Sequence, residues 1–413
     1  MFGRAEVTMA NAVGVILAAG PSLRMKTDTP KPLHRVCGRP LLEYALDAAV
    51  ESELSAAAVV IPAGAEAMVA LVGERARVVA AGDTVAASIT LALAALPEAG
   101  HLLVIPADLP QLRAHHLKSL LDCHIAQAAN ATLLVAGGVP TGVYALRREV
   151  TLSLDSPAAL DAVIASAATC NVADEPLIDV DTRADLARAE KALRREVIAR
   201  LMDEGVTFID PESTFVDAGV RIGRDTVVYP WTFIEGETVI GSHCRIGPHV
   251  HLVNCVLDDD IAVEASVLRD SRLAKEVRVG PFAHLRPGSE VGARTKIGDY
   301  VELKNAQVGE GVSIAHLAYV GDATVGDRVN IGAGVITCNY DGIRKNRTTI
   351  GDDAFIGSNS VLIAPVTIGS GAYVAAHSSI TEEVPADALG IARSRQENKP
   401  DWARRRRESK QKG

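Results

Sequence analysis

An aliphatic residue returns every six positions through the C-terminal half of the chain, and this period narrows the possible folds more than any other feature. Ile350, Ile356, Leu362, Ile368, Val374 and Ile380 form one run, and Ile222, Val228, Ile234, Ile240 and Ile246 form another. Gly follows many such positions, as in Ile297-Gly298, Val325-Gly326, Ile331-Gly332, Ile356-Gly357 and Ile368-Gly369. A period of six fits neither the turn of an amphipathic helix nor the alternation of a strand, and it specifies a hexapeptide β-helix. Each hexad is one short strand whose aliphatic side chain enters a narrow core, and the small residue after it lets the chain turn a corner. Three hexads close a triangular coil, which cannot bury its apolar face alone, so coils must stack from Val206 to about Pro385. A β-sandwich with Gly-rich turns is the competing reading. It requires strands recurring at roughly 8 to 12 residues with period two, which the hexads do not show. Flat solenoid faces favour self-association, so a homo-oligomer is expected.

A different grammar precedes the hexads. Ala-rich helical stretches such as Leu41 to Val50 and Ser88 to Leu96 alternate with β-runs such as Ala57 to Ile61 and Leu102 to Ile105. That alternation predicts a Rossmann-like α/β domain with a mostly parallel sheet and helices on both faces. A polar helical segment from Ala184 to Glu204 comes next, with Gly205 as its C-terminal cap, and reads as a rigid connecting arm. The expected organisation is residues 1–183 as the α/β domain, 184–204 as the arm, 205–390 as a left-handed β-helix and 391–413 as a basic tail. The tail, with Arg404 to Lys412, is expected to be a solvated, disordered end that at most covers a neighbouring subunit.

Composition removes several function classes. The 42 basic and 51 acidic side chains leave a net charge of −9, which argues against general nucleic-acid binding. The six cysteines are scattered with no C-x-x-C pair, so neither a structural zinc site nor a disulfide framework is expected. The first apolar run, Val13 to Gly20, is too short to span a membrane and ends in a Gly loop. A cytoplasmic protein without membrane association is the expectation.

The chemistry of the first half concentrates at its opening. Val13-Gly-Val-Ile-Leu17-Ala18-Ala19-Gly20 is a buried strand running into small residues, followed by Arg24-Met25 and Pro30-Lys31-Pro32. Small residues there let backbone N–H groups approach phosphates, and Arg24 and Lys31 supply positive charge. A turn made small for packing alone would look the same in its glycine. The pattern L-A-A-G-x-x-x-R-M with P-K downstream is narrower, and it resembles the signature of sugar-phosphate nucleotidyltransferases. Asp108, in Ile105-Pro-Ala-Asp108-Leu-Pro110, falls just past a strand end, where open α/β sheets bind ligands. Asp181, in Ile178-Asp-Val-Asp181-Thr182, falls where that superfamily supplies a second Mg²⁺ ligand. Singly, each aspartate would equally serve as a helix cap or turn former. Gly142 completes the nucleotide-binding set that the resemblance implies.

The second half carries four ordered motifs. They are Gly280-Pro-Phe-Ala-His-Leu-Arg286-Pro-Gly288, Val301-Glu302-Leu-Lys304, Ala315-His316-Leu-Ala-Tyr319-Val-Gly-Asp322 and Asn330-Ile-Gly-Ala333-Gly-Val-Ile-Thr-Cys-Asn339-Tyr340-Asp-Gly342. Together they resemble the bacterial family that is both glucosamine-1-phosphate N-acetyltransferase and N-acetylglucosamine-1-phosphate uridyltransferase, and the likeness runs from the opening strand to Arg393. The resemblance implies acetylation of glucosamine 1-phosphate by acetyl-CoA, then Mg²⁺-dependent uridylyl transfer from UTP to N-acetylglucosamine 1-phosphate, in a homotrimer. His316 would be the general base, a role suited to imidazole near neutrality, with Glu302 as its orienting carboxylate. Arg286 and Lys304 would bind the sugar phosphate, since a dianion calls for fixed cations, and Tyr319, Asn330 and Lys345 would hold the sugar and its phosphate. Ala333, Asn339, Tyr340, Ser358, Ala376 and Arg393 would line the acetyl-CoA site.

The chain departs from that family in its first half. Val79 to Ser88 replaces a Gln-containing, G-T-G base-reading stretch, and Ser22-Leu23 replaces a G-T before the Arg. Pro140 stands where a sugar-binding Asn is expected and cannot imitate its amide. Asp181 replaces a metal-binding Asn, which keeps a good ligand. An N-terminal domain that uses another nucleotide or sugar, or is inactive, is therefore one alternative. A non-catalytic regulatory or scaffold subunit is another, and the scattered His residues of the β-helix lack the three-coil spacing of a zinc site.

Overall fold

The computed structural model describes residues 9–151, 154 and 156–411. Residues 1–8 of the expected first domain and 412–413 of the expected tail, Lys412 among them, lie outside the described residues. The chain divides into two compact units, one reaching Ala199 with Val216–Ala218 added, the other comprising Arg200–Phe215 and the chain from Gly219 onward.

The first unit is a seven-stranded sheet flanked by helices. Its strands are β1 (Ala12–Leu17), β2 (Ala56–Ile61), β3 (Arg77–Ala80), β4 (His101–Pro106), β5 (Ala131–Ala136), β6 (Val139–Arg147) and β7 (Ala168–Ala173), in the order β3-β2-β1-β4-β6-β5-β7. Neighbours are parallel except β6, which is antiparallel to β4 and β5. The main helices are α1 (Leu41–Glu51), α2 (Glu66–Val72), α3 (Val85–Ala94), α4 (Ala114–Ala126) and α5 (Pro157–Ala165). β1 reads as a continuous apolar run because both its faces are covered. Val13 and Val15 pack with Ala86 and Ile89 of α3, while Ile16 packs with Leu42 and Leu46 of α1 and Leu117 of α4. β5 and β6 join through Gly137-Gly138, whose φ of 56° and 76° suit a type I′ hairpin turn.

The predicted arm is α6 (Arg183–Asp203). Thr182 and Asp185 cap it reciprocally, the Thr182 N–H donating to Asp185 Oδ2 at 2.8 Å and the Asp185 N–H to Thr182 Oγ1 at 3.2 Å, a capping-box arrangement. The Thr182 hydroxyl, which donates to Asp185 Oδ2 at 2.7 Å, leads the hydrogen bonds that hold the Asp185 carboxyl down to about 2. The helix is more than a spacer, because Ala189 and Leu193 are buried with Val36, Leu41, Tyr44 and Val180. Gly205 (φ 97°) closes it, with the Val206 N–H donating to Leu201 O at 3.0 Å, as in a Schellman motif.

The second unit is the left-handed β-helix, built of parallel sheets of eleven, ten and nine strands. The hexad residues form its axis: Val228, Ile234, Ile246, Ile356, Leu362 and Ile368 are all 0% exposed. The glycine after an aliphatic has a visible reason at Gly298, where an added Cβ would fall onto the carbonyl oxygen of Ala315 in the next coil. The basic tail differs from expectation. It contains a helix, α7 (Trp402–Gln411), exposed over residues 402–410, because Ala, Arg, Glu, Lys and Gln are good helix formers and Asp401 pairs with Arg404 at 3.1 Å across its first turn. Among the described residues no helix is long and apolar enough to cross a membrane.

Candidate active sites

In the α/β unit a cavity of about 390 Å³ opens at the carboxyl ends of β1 and β4. Leu17, Ala18, Ala19, Gly20, Lys31 and Asp108 line it, as expected of the nucleotide site. Gly142 stands beside one wall, where an added Cβ would sit 3.4 Å from Pro106. The Ser22 hydroxyl accepts the Lys31 N–H at 2.7 Å, so this departure from the family ties the opening loop to its lysine. The Lys31 ammonium bridges Asp181, at 2.8 Å, and Asp108, and Arg24 reaches Asp181 at 2.7 Å. Burial works against the Lys31 charge, but the two aspartates outweigh it and hold its pKa above the ordinary lysine value.

A third carboxylate joins these two. Ligand oxygens of Asp108, Asp179 and Asp181 lie within 4.8 Å of one another, the one such cluster of metal-type ligands among the described residues. Buried Val180, whose N–H donates to Asp108 O at 3.0 Å, pins the segment, and the capping box of α6 fixes the chain just beyond it. Asp179 remains open to solvent as a residue, yet desolvation of its carboxyl, with Asp108 and Asp181 nearby, pushes it up to about 6. The alternation Asp179-Val180-Asp181 around a buried residue was the sequence signal that could have found it. The cavity's far wall is Ala81, Gly82, Asp83, Thr84, Val85 and Ser88, the stretch that departs from the family. Ser88 Oγ accepts the Gly82 N–H at 3.0 Å, and Thr84 caps α3.

In the β-helix the expected residues sort by rung. On the ten-stranded sheet Glu302 lies between His284 and Tyr319, while Lys304 is paired with Gly321. Arg286 Nη1 donates to Glu302 Oε1 at 2.9 Å. Lys304 Nζ is 3.6 Å from Asp322, which also accepts from Asn305 at 2.7 Å and from Asn339. Asn339 Nδ2 lies 3.4 Å from the Tyr319 hydroxyl. The loop 338–347 is a small hairpin with a bridge from Tyr340 to Lys345, and it brings Lys345 against Lys304. Contact with the Lys304 ammonium lowers the pKa of Lys345. Two cations facing one another is an arrangement an incoming phosphate would relieve. Asn330 lies on the eleven-stranded sheet between Ser313 and Phe355, and the exposed Tyr340 donates to Gly342 of its own loop at 2.6 Å.

The carboxylate that bonds His316 is Asp299, not Glu302. His316 ends its strand on the eleven-stranded sheet, directly paired with Asp299 one coil earlier, and its Nδ1 bonds Asp299 Oδ1. Glu302 belongs to the next sheet, and Arg286 occupies it. One corner of the prism then carries a column: Leu317 N–H donates to Asp299 O at 2.9 Å, Gly334 N–H to His316 O at 3.4 Å, Asn359 N–H to Ala333 O at 2.7 Å and His377 N–H to Ser358 O at 2.8 Å. Arg393 caps it by donating to Ala376 O at 3.0 Å. At about 4.8 Å per rung, His316 and Ala376 stand roughly 14 Å apart, joined by the small residues Ala333 and Ser358.

Residues 14–204 match the MobA-like NTP transferase domain, and residues 219–254 and 347–382 match the bacterial transferase hexapeptide. A nucleotide-site α/β unit followed by a hexapeptide β-helix of this kind defines a bifunctional transferase, an N-acetyltransferase joined to a nucleotidyltransferase. The bifunctional protein GlmU of Exiguobacterium sp. strain AT1b is 38% identical over 95% of this chain and 99% of its own length. That of Carboxydothermus hydrogenoformans is 38% identical over 95% and 100%, and that of Geobacillus sp. strain WCH70 is 38% identical over 96% and 98%. The chain belongs to the bifunctional GlmU family.

Proposed function

We propose that the β-helix N-acetylates glucosamine 1-phosphate from acetyl-CoA with His316 as base, and that the α/β unit transfers UMP from UTP to the product. The observation that carries this reading is the corner column, with an oriented imidazole at one end, small residues along it and Arg393 at the other. It supports a thioester lying along the corner with its carbonyl near His316. The sugar amine then attacks that carbonyl, a C–N bond forms, the C–S bond breaks, and His316 Nε2 takes the amine proton. Arg286, Lys304 and Lys345 would hold the sugar phosphate, with Tyr319 and Asn330 against the sugar. Ala333, Asn339, Tyr340, Ser358, Ala376 and Arg393 would line the acetyl-CoA path.

For the second reaction, an oxygen of the sugar phosphate attacks the α-phosphorus of UTP and pyrophosphate leaves. Backbone N–H groups of residues 17–20 with Arg24 and Lys31 would take the phosphates, and Gly142 would complete the nucleotide site. Asp108, Asp179 and Asp181 offer only hard carboxylate oxygens, a donor set that suits Mg²⁺. Bound there, Mg²⁺ would neutralise phosphate charge. The Lys31 ammonium that now bridges two of these aspartates supports a cation's being welcome at that point.

The same reading has the enzyme act in the cytoplasm as a homotrimer. Family membership supports that assembly, as does an edge of exposed Trp231, Phe282, Tyr300 and Leu317, each 56–60% exposed. The test supplies acetyl-CoA, glucosamine 1-phosphate, UTP and Mg²⁺ and follows free thiol and pyrophosphate separately, with light scattering for mass. Both products from a trimer are expected. Thiol without pyrophosphate would reassign the nucleotide of the α/β unit, and neither product would leave the scaffold reading.

A further inference from the structure

We propose that Asp299 is the positioning residue for acetyl transfer: its carboxylate accepts the Nδ1 proton of His316 and so presents Nε2 as the free base to the sugar amine. This rests on the reading of His316 as the base. Neighbouring strands of a sheet lie about 4.7–4.9 Å apart, and the parallel pairing of Asp299 with His316 places an acid and an imidazole one strand spacing from each other. The backbone on either side is fixed by the ladder, since Leu317 N–H donates to Asp299 O at 2.9 Å. No rival carboxylate competes for the ring among the described residues. Glu302 is taken by Arg286, and Asp322 is shared by Lys304, Asn305 and Asn339. The hydrogen bond from His316 is also the first cause of the lowered pKa of Asp299, with Lys296 on its own strand adding to it.

An imidazole carries one proton when neutral, and the partner of one nitrogen decides which nitrogen is free. A carboxylate can only accept, so it selects the Nδ1–H tautomer. During the reaction the amine proton passes to Nε2, the C–N bond forms and the C–S bond breaks with the thiolate leaving. Asp299 stays ionised and steadies the imidazolium, without itself receiving the proton.

The experiment measures kcat and KM for acetyl transfer in Asp299→Asn, Asp299→Glu, His316→Ala and Glu235→Gln, with pyrophosphate release assayed on each. The asparagine amide can donate to Nδ1 and leave the proton on Nε2, so D299N is expected to lose about 10²- to 10⁴-fold in kcat. KM for both substrates should stay within roughly threefold, since no contact to them is removed. D299E retains a carboxylate and is expected to recover at least about tenfold of that loss. E235Q cuts the similar pair of Glu235 and His251, which is 3.0 Å apart and away from the site, and should leave acetyl transfer unchanged. A wild-type kcat in D299N, a loss carried by KM, or D299E no better than D299N would each overturn the assignment. If D299N fails to fold, as a changed melting temperature and lost pyrophosphate release would show, Asp299→Ala decides in its place: wild-type-like KM with reduced kcat supports, and unaltered kcat overturns. Full activity in H316A would remove the base itself, whereas a dead H316A beside an active D299N removes only Asp299.

Discussion

The α/β unit assembles its site from loops distant in sequence, whereas the β-helix writes its site along consecutive coils. Lys31 meets Asp181 across 150 residues, while Asp299 meets His316 across 17, one turn of the solenoid. The first arrangement is nearly self-neutralising, with Arg24 and Lys31 occupied by the aspartates they accompany. The second leaves Lys304 and Lys345 facing one another and anchors its base on a ladder. Loop-built sites can be re-specified without disturbing the fold, as the altered stretch at Gly82 to Ser88 does in the cavity wall. A ladder-built site ties function to register, so a change in one rung moves chemistry as well as stability.

Two substitutions would break that comparison most sharply. H316A should lower acetyl transfer by about 10²- to 10⁴-fold, the usual worth of a general base, with pyrophosphate release unaltered. D108N should do the converse at about 10²- to 10³-fold, by analogy with removing one preorganised electrostatic group. Steady-state assays of both reactions on both variants check this. A parallel loss of both activities in either variant would mean the units do not work independently.

Acid should separate the units next. Burial, then His115 and Arg113, lowers His116 to about 4, and burial, then His101 and Arg147, lowers His124 to about 4. A histidine whose folded pKa is depressed gives stability that is complete above its unfolded value near 6.5 and is lost as pH falls toward the folded value. Each would forfeit on the order of 3 kcal/mol between about pH 6.5 and 4. No described histidine of the β-helix is buried. Pyrophosphate release and helical circular dichroism should therefore fail first. Tryptophan fluorescence should hold longer, since both tryptophans, Trp231 and Trp402, lie in the second unit.

The same contrast governs how much could be read from sequence. The regular hexads announced the solenoid, yet the buried residues Leu303, Val308, Ile314, Val320 and Val325 recur at five and six, so the period slips within the functional rungs. Thr337 even takes an axial place with 0% exposure, bonding Gly321 through its hydroxyl. The ordered motifs still placed Arg286, Lys304 and His316, but rung partners are set by register, and a slipping period hid Asp299. In the α/β unit the downstream P-K motif pointed to Lys31 and a strand end to Asp108, and both line the cavity. Asp179 was hidden because its neighbour Asp181 alone matched the family position. The tail was misread because charge suggested solvation and said nothing against helix.

Glycines give the finest test of ladder against loop. At Gly298 an added methyl would meet the Ala315 backbone, with Ala315 O, C and Cα all within 3.0 Å, and neither strand can yield without shifting the Asp299 and His316 rung. G298A should cost about 1–3 kcal/mol, the range for overpacking, and depress acetyl transfer while sparing pyrophosphate release. At Gly20 nothing lies within 4 Å of an added Cβ, so G20A should change stability by no more than about 0.5 kcal/mol. Its methyl would nevertheless point into a loop where backbone must approach phosphate, raising KM for UTP. Melting curves and UTP titrations on the pair decide: equal stability losses would mean that the ladder is as forgiving as the loop.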